Sequence, residues 1–226
     1  MLQLVIGNKN YSSWSMRPWV LMRHFGIAFD EIKLRFDFTP GSAFYRELAR
    51  YTPAGRVPVL LIDGHAVWDT LAIAETVADL HPALALWPRD MRQRARARSL
   101  AAEMHAGFSA LRNHCPMNIE AALPDIGARV LATEPAVRRD LERIDALWND
   151  ALAASGGPFL FGEFGAVDAY YAPVAMRLRS YALPMSDVAL AYAQCLSASP
   201  GVTAWIAEAL DERDFIVEDE PYRSSR

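Results

Sequence analysis

The chain has 226 residues, 52% of them hydrophobic, with 23 basic and 27 acidic side chains for a formal net charge of −4. That apolar content excludes a mainly disordered chain and supplies a substantial core for one large domain or two small ones. The near-neutral balance gives no global attraction to nucleic acid or to an anionic membrane. No apolar run approaches the roughly 18 residues of a membrane helix, and no signal-type segment opens the chain, so a soluble, cytoplasmic protein is expected.

Residues 2–6, Leu-Gln-Leu-Val-Ile, form a short apolar run closed by Gly7-Asn8 and read as a mostly buried first strand. Residues 8–13 are dense in Asn and Ser, side chains that bond to local backbone, and suit a turn leading into a helix. That helix is expected over 14–25, with Gly26 as its stop and Pro18 in or just beyond its first turn, where a missing N–H costs least. Residues 29–34 alternate as a second strand, and 43–51 make a short helix before Pro53.

Residues 54–70, Ala-Gly-Arg-Val-Pro-Val-Leu-Leu-Ile-Asp-Gly-His-Ala-Val-Trp-Asp-Thr, are the most informative stretch. Pro58 fits only the start or edge of a strand, and Val59-Leu60-Leu61-Ile62 is a buried-strand run behind it. Asp63-Gly64 favours a two-residue hairpin because both residues accept positive φ. Asp69 or Thr70 then caps an amphipathic helix over 71–80 and leaves main-chain N–H groups free for an anion. The order β-α-β-α-β-β-α, with a helical crossover between the first two strands and an antiparallel hairpin after them, is a thioredoxin-like layout.

Residues 81–89 carry two prolines and no period, and read as a linker between a first domain over 1–80 and a second over 90–226. The second is all-helical. Ala97, Leu100, Met104, Phe108, Leu111 and Cys115 mark one buried helical face before Pro116, and Val137, Leu141, Ile144, Trp148 and Leu152 mark another that stops at Ser155-Gly156-Gly157-Pro158. The fold class expected is therefore α+β, a βαβαββα domain followed by an all-α domain. Residues 218–226 are polar and are expected to fray. Cys115 and Cys195 read as buried free thiols, and the histidines at 24, 65, 81, 105 and 114 show no metal-ligand spacing, so no metal is expected.

Two motifs carry a family resemblance that extends from Leu2 to about Phe215. Arg56-Val57-Pro58-Val59-Leu60 followed by Asp69-Thr70-Leu71-Ala72-Ile73-Ala74-Glu75 resembles the glutathione-binding half of cytosolic glutathione transferases. Gly162-Glu163-Phe164-Gly165-Ala166-Val167-Asp168 resembles that family's buried capping box, with Gly165 where a hydroxyl residue is usual. The resemblance implies a cis peptide before Pro58 and a backbone contact from Val57 to the cysteinyl part of glutathione. It also places the γ-glutamyl end at Asp69 and Thr70, where the family's usual pair is Glu-Ser, and makes Arg56 a partner for the glycine carboxylate. Asp168 becomes a structural group. Residues 12–17, Ser-Ser-Trp-Ser-Met-Arg, stand where serine-type members of zeta and theta character carry their catalytic hydroxyl, and resemble the zeta Ser-Ser-Cys-Ser-x-Arg with Trp14 in place of Cys.

The chemistry so implied is activation of the glutathione thiol, whose ordinary pKa of about 8.5 leaves little thiolate at neutral pH. A helix N-terminus and a hydroxyl donor both favour the charged sulfur. Ser12 matches the catalytic position, with helix capping as its bland alternative; Tyr11, Ser13 and Ser15 are its competitors. The absence of a cysteine from the loop argues against thiol exchange. His105, Phe108, Ser109 and Arg112 are candidates for an electrophile pocket between the halves, although core or solvent positions are the simpler expectation for each. Arg92, Arg94, Arg96 and Arg98 read as a solvated basic face. The resemblance thus implies a glutathione transferase acting on a small hydrophobic electrophile, with glutathione as co-substrate and a homodimeric assembly. A zeta-like cis-trans isomerase of the maleylacetoacetate type and a non-catalytic glutathione-fold binding protein are the alternatives.

Overall fold

A computed structural model describes residues 1–226 of the protein. Four strands, β1 (Leu2–Ile6), β2 (Asp30–Lys33), β3 (Val59–Ile62) and β4 (His65–Val67), form one mixed sheet in the order β2-β1-β3-β4. The apolar run of β1 fits its central place, buried between neighbours on both sides. β1 and β2 are parallel, joined through α1 (Ser13–His24); β3 lies antiparallel to β1 and β4 antiparallel to β3. The Asp63-Gly64 turn has φ of +49° and +86°, as a two-residue hairpin requires. With α2 (Ala43–Leu48) and α3 (Thr70–Leu80), this is the expected thioredoxin-like βαβαββα unit.

After α3 the named elements are helices: α4 (Met91–Ala106), α5 (Ser109–His114), α6 (Pro124–Thr133), α7 (Pro135–Ser155), α8 (Ala166–Tyr181), α9 (Asp187–Ser197) and α10 (Pro200–Glu212), with two isolated β-bridges over residues 159–163. None of these helices is long and apolar enough to cross a membrane. The main apolar core, 52 buried residues from Leu4 to Ala209, runs without a break from one face of the sheet through α1 into α8 and α10. Trp19 of α1 meets Trp205 of α10 edge-on, ring centroids 5.2 Å apart. Gly201 permits that approach, since a Cβ there would lie 2.5 Å from the Val20 carbonyl oxygen. The other face of the sheet packs a smaller cluster of Val5, Tyr11, Leu34, Phe36, Phe44, Leu48, Val59, Leu61 and Ile216.

Three expectations, on the helix ending at Pro116, on Cys195 and on the tail, are corrected. The helical run ending at Pro116 is two helices, because Gly107 ends α4 in extended conformation and Phe108 takes φ of +54° ahead of α5. Pro18 lies just beyond the first turn of α1, as expected, and its missing N–H leaves the carbonyl of Trp14 without its helical donor. Cys115 is buried, whereas Cys195 is only half-buried. The tail does not fray: a 3-10 turn at Val217–Asp219 leads to Glu220, buried beneath Tyr11, and Tyr222 donates to the His114 carbonyl at 2.8 Å. The basic run is a solvated face as expected, with Arg92, Arg96 and Arg98 exposed; Arg98 binds Glu75 at 2.6 Å and Arg96 binds Asp150.

At α8 the half capping box is present. Asp168, with no exposure, accepts from the N–H of Gly165 at 2.9 Å, the N–H of Leu160 at 3.1 Å and the hydroxyl of Tyr192 at 2.8 Å. Burial raises its pKa to about 6 against the pull of these three donors. A side chain at Gly165 would crowd the Leu86 carbonyl oxygen, 3.0 Å from an added Cβ, which accounts for glycine where a hydroxyl is usual.

Candidate active site

Two helix N-termini come together at one end of the sheet. α1 begins after Ser12, whose Oγ accepts the Ser15 N–H at 3.4 Å and shares a 2.7 Å hydrogen bond with the Ser15 hydroxyl. Ser15 in turn accepts the Gly7 N–H at 3.2 Å. The Ser12 hydroxyl donates in the bond between the two hydroxyls and the Ser15 oxygen accepts both it and the Gly7 N–H, so Ser12 reaches an outside acceptor by turning its proton away from Ser15. Ser15 therefore satisfies local backbone, while Ser13 takes no part in these bonds. Tyr11 turns away from the helix start: its phenol donates to Glu220 at 2.8 Å and accepts the Ile216 N–H at 3.4 Å. Burial, then the bond to Glu220, pushes its pKa up to about 12, so this hydroxyl is both occupied and a poor acid.

α3 begins after Asp69, which caps it by accepting the Leu71 N–H at 3.2 Å. His105 of α4 joins the two helix starts. Its Nε2 lies 3.2 Å from Asp69 Oδ2, its Nδ1 lies 3.4 Å from Thr70 Oγ1, and its ring meets Trp14 of α1 edge-on at 5.0 Å. Burial lowers the His105 pKa and Asp69 opposes that, while the nearby Arg17 and Arg112 cations lower it further. The neutral ring donates to Asp69 through Nε2 and accepts from Thr70 through Nδ1, which defines its tautomer. Arg112 donates to the His105 carbonyl at 3.1 Å and lies over Trp14 at 5.5 Å. Phe108 is buried and Ser109 exposed.

Arg17 is the least expected member. It is 1% exposed, and its Nε and Nη1 are buried with no hydrogen-bond partner. The guanidinium lies 4.1 Å from the Trp14 ring and 5.0 Å from that of Tyr170, whose buried hydroxyl is also unpartnered. Burial depresses its pKa to about 9, with Tyr170 and Asp69 opposing and Arg177 and Arg112 adding to the drop. Its signal in the sequence was its place in the Ser-Ser-Trp-Ser-Met-Arg motif, but nothing in the pattern separated a buried arginine from a solvated one.

On the sheet side, the Val57–Pro58 peptide is cis. The β1–β3 register ends at the Val5–Val59 pair, so Val57 stands two residues before the paired part of β3, at the end of the sheet where β1 runs on toward the Ser12 loop. Arg56 is exposed. Val57, Asp69, Thr70 and Ser12 are thus gathered around one end of the sheet, Arg56 stands at its rim, and His105 and Arg17 join them from α4 and α1. No group of three or more His, Cys, Asp or Glu side chains is arranged to hold a metal ion.

Comparison with known proteins matches residues 11–80 to the model of the glutathione S-transferase N-terminal domain and residues 71–208 to that of the glutathione S-transferase C-terminal domain. A probable maleylacetoacetate isomerase of Caenorhabditis elegans is 34% identical over 101 residues, 45% of each chain. The chain thus aligns with about half the length of this curated relative. Among solved structures, a glutathione transferase from Methylococcus capsulatus strain Bath is 25% identical with a TM-score of 0.66, covering 93% of this chain and 100% of that one. A glutathione transferase homologue from Burkholderia gl BGR1 with bound glutathione has a TM-score of 0.70 at 21% identity, covering 93% of this chain and 98% of that one.

Proposed function

The chain belongs to the glutathione S-transferase family, and on that premise we propose that it is a glutathione transferase that ionises the glutathione thiol and delivers it to a small, partly apolar electrophile. The observation that carries this reading is the convergence of the α1 and α3 N-termini, tied together through Trp14 and His105. Both helix ends direct partial positive charge toward the same end of the sheet, suited to a bound thiolate and to an anionic tripeptide. Ser12 donates to the sulfur. Val57 offers its backbone to the cysteinyl unit, Asp69 and Thr70 hold the γ-glutamyl group, and exposed Arg56 meets the glycine carboxylate. In this reading residues 1–80 bind glutathione and residues 90–226 supply the electrophile side. The working form is a cytoplasmic homodimer, in keeping with the family resemblance.

A second reading, a glutathione-dependent cis-trans isomerase acting on maleylacetoacetate, is favoured by the names of the curated relatives and by Arg17. A buried guanidinium without a counter-charge is unfavourable by several kcal/mol, and a substrate carboxylate would supply what the chain omits. Turnover of maleylacetoacetate beside a neutral aryl halide, both with glutathione, separates the readings. The transferase reading expects the aryl halide to be conjugated, and isomerisation without conjugation overturns it in favour of the second.

A further inference from the structure

The first loop and the end of the chain are bound to one another residue by residue. Asn8 Nδ2 donates to Asp214 at 2.7 Å, the Lys9 N–H donates to both carboxylate oxygens of Glu212 at 2.9 Å, and the Trp205 indole donates to the Lys9 carbonyl at 3.0 Å. Asn10 Oδ1 accepts the N–H groups of Ile119 and Glu120 at 2.9 Å each, and its Nδ2 donates to Asn118 at 3.1 Å. Tyr11 carries the tie into the tail through its 2.8 Å bond to Glu220. Ser12 follows at once, its N–H bonded to the Asn8 carbonyl at 2.8 Å.

Glu220 is the hub. It is 5% exposed and also accepts from Asn118 Nδ2 at 2.9 Å and Arg223 Nε at 2.9 Å. Burial works to raise its pKa, but the bonds from Arg223, Tyr11 and Asn118 outweigh it, so the carboxylate stays charged. Ile216 of the same tail is buried in the cluster with Val5, Tyr11 and Val59, which seats the tail against the sheet. Apart from the Tyr11 ring the loop is polar, so its geometry depends largely on the groups that hydrogen-bond to it.

We propose that Glu220 is a positioning residue for thiol activation: through Tyr11 and Asn118 this one buried carboxylate holds the loop that presents the Ser12 hydroxyl. The proposal rests on the role given to Ser12 above. Asp69 and Thr70 lie on α3, and no hydrogen bond joins them to the tail, so loosening the tail changes ionisation of the bound thiol and not the grip on the tripeptide.

The test compares Glu220→Ala, Tyr11→Phe and Glu220→Gln in the full-length protein, with exposed Glu218→Ala as control. Glutathione affinity is read by calorimetry and the pKa of the bound thiol by ultraviolet absorbance of the thiolate. Glu220→Ala and Tyr11→Phe should raise that pKa and lower turnover about tenfold near neutral pH, with recovery at alkaline pH and affinity within about twofold. Glu220→Gln, whose carbonyl oxygen still accepts from Tyr11, should recover most of the loss, and Glu218→Ala should match wild type. Tyr11→Phe keeps the packed ring and carries the test alone where Glu220→Ala does not fold. An unmoved thiol pKa with glutathione binding intact overturns the proposal. Equal losses of affinity and ionisation do the same, because they make the tail a structural brace only. Failure of the wild type to bind glutathione overturns the reading of the site itself, and the proposal with it.

Discussion

Asp69 has two duties that substitution can separate. Its Oδ1 caps α3 through the Leu71 N–H at 3.2 Å, and its charge is the one assigned to the γ-glutamyl ammonium. Asparagine caps helices as well as aspartate does, so Asp69→Asn keeps the cap and removes the charge, while Asp69→Ala removes both. Loss of the cap should lower stability by about 0.5–2 kcal/mol in the alanine variant alone. Loss of a hydrogen bond to a charged group is worth about 1.5–3 kcal/mol, or roughly ten- to a hundredfold in affinity. The Asp69 side chain is 55% exposed, so solvent screening sets the expected loss at the lower end, about tenfold. Calorimetry with glutathione and thermal unfolding on both variants measure the two effects. The reasoning fails if Asp69→Asn binds glutathione as wild type does, or if affinity falls only in step with melting.

Asp168→Ala strands three donors in a site with no exposure, and at about 1–3 kcal/mol each, added incompletely, the loss should reach about 3–5 kcal/mol in urea unfolding; a loss below about 1 kcal/mol contradicts the role given to it. His24 stacks on Phe164 at 3.7 Å with Nδ1 buried and unpartnered, and burial lowers its pKa. The unfolded chain therefore binds the proton more readily, and stability should fall as pH drops below the ordinary histidine value of about 6.5 toward the folded value. His24→Phe should flatten that part of the melting-temperature profile, and an unchanged slope counts against a neutral His24. Light scattering should give twice 25.2 kDa at micromolar concentration, and a mass of 25.2 kDa excludes the homodimer.

The sheet and its hairpin were legible because Pro58 and Asp63-Gly64 are local devices whose backbone demands can be read without knowing their neighbours. The division of α4 from α5 was not, since Met104, Phe108, Leu111 and Cys115 keep a helical period straight across Gly107, and the periodicity cannot register a break that preserves the buried face. The tail was misread for a related reason. Its charges look like a solvated end, and the partners that bury Glu220 lie at Tyr11 and Asn118, 209 and 102 residues away. In the site, Ser12, Val57, Asp69 and Thr70 were named from motifs and are gathered by the fold. His105 reads from the sequence as a candidate whose simpler place is core or solvent, because a single histidine on an aliphatic stripe carries no sign of the aspartate it will meet. Tyr11 rivals Ser12 in the sequence, and only its bond to Glu220 shows that its hydroxyl points elsewhere.

The central claim, that Ser12 ionises the bound thiol, is tested most directly by the pKa of glutathione's sulfur in the complex, measured for wild type and Ser12→Ala with Ser13→Ala alongside. The Ser12 hydroxyl donating to a charged sulfur is worth about 1.5–3 kcal/mol, so its removal should raise that pKa by about one to two units. Affinity should stay within a few-fold, and Ser13→Ala should leave the pKa where wild type has it. A bound-thiol pKa that does not move in Ser12→Ala, or that moves only in Ser13→Ala, contradicts the account.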